Sequence, residues 1–127
     1  MKREINLQRI SRILAVAAAV TILVLSLLPK EAISNVSISD RFMHFTAYAV
    51  LSFLAYFSFI KSINIKLVVI IIVACFVYGA AIELLQPLVG RNRENMDILI
   101  NAAGVFSGTS FCILLDLFFR KVKRSIF

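Results

Sequence analysis

Several kinds of protein chemistry need residues that this chain scarcely has. One histidine and two cysteines in 127 residues cannot supply the repeated Cys/His spacing of a zinc site. Four glycines form no glycine-rich phosphate loop, and no Gly-x-Ser-x-Gly elbow presents a nucleophilic serine. No internal repeat of useful length divides the chain. Acidic residues are also few, seven against fourteen Lys and Arg, for a net charge of +7. Such a balance can signal nucleic-acid binding. Here, however, the basic residues fall in short clusters beside apolar runs, with no nucleic-acid-binding fold to carry them. No nucleic-acid partner is expected.

Apolar residues are what the chain has. They make up 61% of it, with a mean hydropathy of +0.93, against roughly 45–50% apolar content in soluble domains. A 14.2 kDa chain has too little interior to hide that much apolar surface from water. Four apolar runs can be drawn, at about Ile13–Leu28, Phe42–Ile60, Leu67–Leu88 and Ile98–Phe119. Each approaches the roughly 20 residues that a spanning helix needs. The first is slightly short, but Ser11 can extend it and Arg12 can snorkel. Backbone groups in lipid must bond to one another, which leaves helices or a closed barrel. The runs are continuous rather than alternating, so the expected fold class is all-α, a single domain of four transmembrane helices.

Orientation follows from the flanks. Lys2, Arg3, Arg9 and Arg12 precede the first run, Lys61 and Lys66 join the second to the third, and Arg120, Lys121, Lys123 and Arg124 follow the fourth. The opposite flanks hold Lys30, Arg41, Arg91 and Arg93, offset by Glu31, Asp40, Glu94 and Asp97. The positive-inside rule then puts both termini in the cytoplasm, and the basic flanks can also meet anionic lipid. The Ser26–Pro29 stretch is not a small-x-small cleavage site, so the first run is expected to remain as a span. Cys75 and Cys112 lie inside apolar runs and are expected to pack as small hydrophobes.

The polar residues that interrupt the runs gather toward one side. In the second run Asp40, His44 and Tyr48 are spaced i, i+4, i+8 and stack along one helix stripe. Asp40 is also a good N-cap, and His44 could simply be a hydrogen-bonded helix residue. In the third run Gly79, Glu83 and Gln86 share a narrow arc, with Gly79 expected to serve helix packing. Glu83 lies more than a turn inside the run's end, where an ionised carboxylate costs a few kcal/mol. It is expected to face the bundle, either paired with a cation such as His44 or Arg91 or protonated; a purely structural interhelix bond is the plainer alternative. In the fourth run Asp97, Asn101, Gly104 and Gly108 form one stripe. The small-xxx-small pair Gly104/Gly108 lets another helix approach closely. The second, third and fourth helices should therefore meet through their polar stripes, with the first, which offers only Thr21 and Ser26, as a wall. The Gly104/Gly108 face could serve a second copy instead of the third helix, so a homo-oligomer stays open.

The segments Asp40–Tyr48 and Tyr78–Gln86, and Gly90-Arg91 followed by Asp97, Asn101, Gly104 and Gly108, resemble the VanZ-like membrane proteins. The resemblance runs from about Asp40 onward, with the motifs in order at compatible spacing. It implies a bacterial inner-membrane protein whose shared pattern falls on Asp40, Arg41, His44, Tyr48, Glu83, Gln86, Arg91, Asp97, Asn101 and Gly104. Arg41 is a mild variation on a position often occupied by Lys, and Arg93 matches no position of the family. The name-giving member is linked to low-level teicoplanin resistance; the family carries no settled reaction or ligand, and resistance is not assigned to this chain.

Three functions are compatible with these residues. In the first, an anionic envelope lipid or lipid-linked precursor binds on the extracytoplasmic side, gripped by Arg41 and Arg91 and hydrogen-bonded by Tyr48, Gln86 and Asn101, with Asp40 at the same head-group level. In the second, a small intramembrane enzyme uses His44 as base or nucleophile, with Asp97 or Glu83 as its orienting group or acid. The third is a structural or assembly role. No cofactor or metal is expected, since one histidine and scattered carboxylates make a metal on His44, Glu83 and Asp97 a minor alternative.

Overall fold

Four long helices build the molecule: α1 (Lys2–Leu27), α2 (Asp40–Phe59), α3 (Ile65–Leu85) and α4 (Asn95–Ile126). The computed structural model describes residues 2–33, 39–59 and 61–127, and among the described residues there is no strand. Asn6–Leu27, Asp40–Phe59, Ile65–Val89 and Asn95–Ile126 are long and apolar enough to cross a membrane. The all-α expectation holds at that level.

The helices outrun the apolar segments. α1 reaches back to Lys2 and α4 continues to Ile126, through basic flanks that lie beyond the expected spans. Hydropathy marks where lipid is tolerated, whereas a helix continues wherever its backbone bonds persist, and Lys and Arg are good helix formers. The expected end of the second run, Ile60, lies outside the described residues. Asp40 opens α2 from within its first turn rather than preceding it as a cap, and the Ser39 carbonyl accepts from Met43 N–H at 3.1 Å.

Local chemistry sets the connection that matters most. α3 starts at an Asn64 cap whose side chain accepts from the N–H groups of Lys66 and Leu67. It ends because Pro87 has no N–H to donate to Glu83 and its ring crowds that carbonyl. The chain tightens into a 3-10 turn, Gln86–Val89. Gly90 then takes the left-handed conformation, at φ 77°, which a residue with a Cβ adopts only at a cost. Arg91 N–H closes the turn on the Gln86 carbonyl at 3.0 Å. The turn leaves the Arg91 side chain buried, although it follows a helix end.

α2 is the hub of the packing. Its most extensive contact is with α4 and its next is with α1, while α1 touches α3 only lightly. Gly104 and Gly108 explain the first of these. A Cβ on Gly104 would collide with the Phe45 carbonyl oxygen, and one on Gly108 with the Ala49 carbonyl oxygen. The close approach expected from the small-residue pair is therefore made, and the neighbour is α2 rather than α3. Between the helices lie Tyr48, Leu51, Tyr56, Ile82 and Val105, all buried, together with the free thiols of Cys75 and Cys112. The outward faces remain apolar, with Val16, Val73, Phe106 and Leu114 all exposed. Apolar surface of that extent needs a non-aqueous neighbour.

Candidate functional site

The polar stripes meet at the end of the bundle where α2 and α4 begin and α3 finishes. α2 contributes His44, α3 contributes Glu83, and α4 contributes Asp97 and Asn101. His44 Nδ1 stands 3.0 Å from Asn101 Oδ1 and 3.6 Å from Glu83 Oε1. Asn101 Nδ2 donates to Glu83 Oε1 across a long 3.5 Å. With its nitrogen turned to Glu83, the Asn101 amide presents its oxygen to the imidazole, so Nδ1–H is the donor of that pair. Asp97 completes the group: ligand-type atoms of His44, Glu83 and Asp97 all lie within 4.8 Å of one another.

The cluster is shielded. Glu83 is 0% exposed and Asp97 8% exposed, and the His44 side chain only 10%. Two carboxylates taken out of water are costly unless compensated. Of the two cations expected beside Glu83, His44 is the one in contact. Two buried polar atoms border the cluster with no hydrogen-bond partner: Glu83 Oε2 and the Tyr48 hydroxyl. Gly79 makes room for the Tyr48 ring, since a Cβ there would come within 2.9 Å of Tyr48 Cε1. This glycine thus accommodates a side chain, not a helix backbone.

Arg91 and Gln86 are placed differently from expectation. Arg91 Nη1 donates to the carbonyls of Leu25 and Ser26 at 3.1 and 2.8 Å, and Nη2 lies 3.9 Å from Asp40 Oδ2. Gln86 Nε2 donates to the same Ser26 carbonyl at 3.3 Å. Those carbonyls belong to the last turn of α1, where no intrahelical partner is left for them, and a cation there also suits the helix dipole. The two side chains therefore bind α1 to the α3–α4 corner. Arg41, by contrast, is exposed and only loosely paired with Glu94 at 3.7 Å. Arg93 is exposed.

Two recesses open beside the cluster. A polar one of about 300 Å³ is lined by Lys30, Arg41 and Arg91 against Asp40, Glu94 and Asp97. The other, about 350 Å³, is an apolar groove between α1 and α2, lined by Ala18, Ile22, Met43 and Ala47, with His44 and Tyr48 on its wall. Asp40 and Arg91 line both. Lys30, Glu94 and the two alanines were not singled out in the sequence. Lys30 and Glu94 read there as loop charges, and small apolar residues carry no signal of a groove.

A second set of polar fastenings, also not foreseen, lies at the opposite end. Tyr56 donates to Asp116 Oδ2 at 2.9 Å, Arg120 approaches the same carboxylate at 4.0 Å, and Arg12 Nε donates to the Ser58 carbonyl at 3.1 Å. No family model, curated protein or solved structure matches this chain.

Proposed function

We propose that this is a four-span membrane protein that binds one anionic envelope lipid, acyl chain in the α1/α2 groove and head group in the polar recess. The observation that carries the reading is that an apolar groove and a charged recess share Asp40 and Arg91 as their common wall. That pairing matches the shape and polarity of an amphiphile. Lys30 and Arg41, whose side chains are exposed, would meet the phosphate, Arg41 with the bidentate geometry that oxyanions favour. Arg91 would act by holding the wall in place. Both termini would face the cytoplasm, because Lys61, Lys66 and the Arg120–Arg124 cluster flank the opposite end. The site would then lie on the extracytoplasmic side of a bacterial inner membrane, in keeping with the VanZ-like resemblance of Asp40–Tyr48 and Tyr78–Gln86.

The test is lipid retention. The full chain, purified in mild detergent, should carry stoichiometric phospholipid in native mass spectra. Ala47→Phe, which fills the groove, and the double variant Lys30→Ala/Arg41→Ala should each lose it while keeping the wild-type helix content. Equal retention by wild type and both variants would refute the reading.

The convergence of His44, Glu83 and Asp97 favours a second reading, an enzyme acting on such a lipid with His44 as base or nucleophile. His44→Ala should then abolish turnover without loss of bound lipid. Full function of that variant in cells would exclude it.

A further inference from the structure

We propose that His44, Glu83 and Asp97, with the Asn101 amide oxygen, form a binding site for one divalent transition-metal ion, Zn²⁺ or Mn²⁺ being the ions its donors suit. The inference does not rest on lipid binding. Helical spacing puts these groups on facing stripes of three helices, and the fold brings the ligand atoms of His44, Glu83 and Asp97 within 4.8 Å of one another.

Distances come first. Ligand atoms around one ion at about 2.0–2.2 Å stand roughly 2.9–3.6 Å apart when adjacent, and somewhat over 4 Å apart when opposite. His44 Nδ1 is 3.0 Å from Asn101 Oδ1 and 3.6 Å from Glu83 Oε1, both within the adjacent range. The widest separation in the His44/Glu83/Asp97 group is 4.8 Å, so a small inward rotation of one carboxylate closes the set. The ligands come from three different helices, α2, α3 and α4, near the end where they meet.

Charge comes second. Glu83 and Asp97 are buried against one imidazole, and the Arg91 guanidinium beside them is directed to Leu25, Ser26 and Asp40. A divalent ion neutralises two carboxylates, and with the imidazole proton shifted from Nδ1 to Nε2 the neutral His44 ligates through Nδ1. Third, Glu83 Oε2 and the Tyr48 hydroxyl are buried and unpartnered at the edge of the group. Buried polar atoms of this kind ordinarily have a partner. A bound ion takes the carboxylate oxygen, and a water on that ion gives the Tyr48 hydroxyl an acceptor. One imidazole nitrogen with carboxylate and amide oxygens is a set for Mn²⁺ or Zn²⁺, not for Cu(I), which prefers sulfur. Cys75 and Cys112 are not members.

The experiment is metal retention by the untagged full chain in detergent. The protein is treated with chelator, reloaded separately with Zn²⁺ and with Mn²⁺, desalted, and analysed for metal. The expected result is one ion per chain for at least one of the two metals. His44→Ala and Asp97→Asn should each weaken retention tenfold or more, and Asp116→Asn, a carboxylate at the other end of the bundle, should retain as wild type. The reloaded wild type should also unfold at a higher temperature than the stripped protein, and Asp97→Asn should lose that gain. If His44→Ala fails to fold, the near-isosteric Asp97→Asn decides. Retention no greater in wild type than in Asp97→Asn, for both metals, would overturn the proposal, as would equal retention by all variants. Loss of lipid in Lys30→Ala/Arg41→Ala with the ion still bound would leave this site standing by itself.

Discussion

The Asn101 amide stands between His44 and Glu83, its oxygen 3.0 Å from the imidazole and its nitrogen 3.5 Å from the carboxylate. One neutral side chain on α4 thereby joins α2 to α3. Asn101→Leu should remove one hydrogen-bond partner from each neighbour and leave them only their 3.6 Å contact with one another. An unsatisfied buried polar group costs about 1–3 kcal/mol, and more if charged, so thermal unfolding in detergent should fall by several degrees. A double-mutant cycle with His44→Ala should show the two losses to be strongly non-additive. Independent losses would mean that the bridge does not form.

Gly104 and Gly108 lie directly against carbonyl oxygens of α2. Overpacking a tight contact costs about 1–3 kcal/mol, so Gly108→Ala should destabilise the bundle, whereas Ser107→Ala, on the exposed face, should not. Differential scanning fluorimetry on both variants is sufficient. An unchanged Gly108→Ala would show that α2 and α4 are further apart than described.

The two buried tyrosines of α2 should respond in opposite ways to loss of the hydroxyl. Tyr56 donates to Asp116 at 2.9 Å, so Tyr56→Phe should cost about 1 kcal/mol and leave a partly buried carboxylate short of a donor. The Tyr48 hydroxyl has no hydrogen-bond partner, so Tyr48→Phe should be neutral or stabilising. Any functional loss in that variant would then have to come from the site and not from the fold.

Arg91→Lys retains the charge but not the fork. A lysine cannot reach Leu25 and Ser26 carbonyls and Asp40 together, so the α1 end should loosen. Limited proteolysis should cut the Lys30 region faster than in wild type, while Arg93→Lys should change nothing. Equal cleavage rates would argue against the clamp.

How much of this was legible in the sequence differs by residue. The four helices were, because continuous apolar runs of that length have few other solutions. The helix ends were not: Lys2 to Arg12 and Arg120 to Ile126 stay helical for reasons that hydropathy does not record. The union of His44, Glu83, Asp97 and Asn101 was readable from helical spacing, which fixes the face on which each residue lies. Spacing does not say which helix a glycine stripe will meet, and Gly104/Gly108 met α2. Nor could it foresee Arg91, whose direction depends on a proline that ends α3 and on a left-handed glycine four residues after Gln86. The fastenings of Tyr56 and Arg12 were hidden because single polar residues in or beside apolar runs carry no spacing pattern.

α1 is held largely through atoms that every residue possesses. Tyr78 donates to the Ala19 carbonyl, Gln86 to that of Ser26, and Arg91 to those of Leu25 and Ser26. Its one polar side chain in mid-span, Thr21, bonds back to Ala17 within the same helix. At the site end the polar instructions for docking α1 are thus written in α3 and in the corner that follows it. At the other end Arg12 of α1 itself donates to the Ser58 carbonyl of α2. The exposed aliphatic residues of α1, such as Val16, Val20 and Val24, are therefore free to exchange for one another, provided that Arg12 and the groove-lining Ala18 and Ile22 are kept.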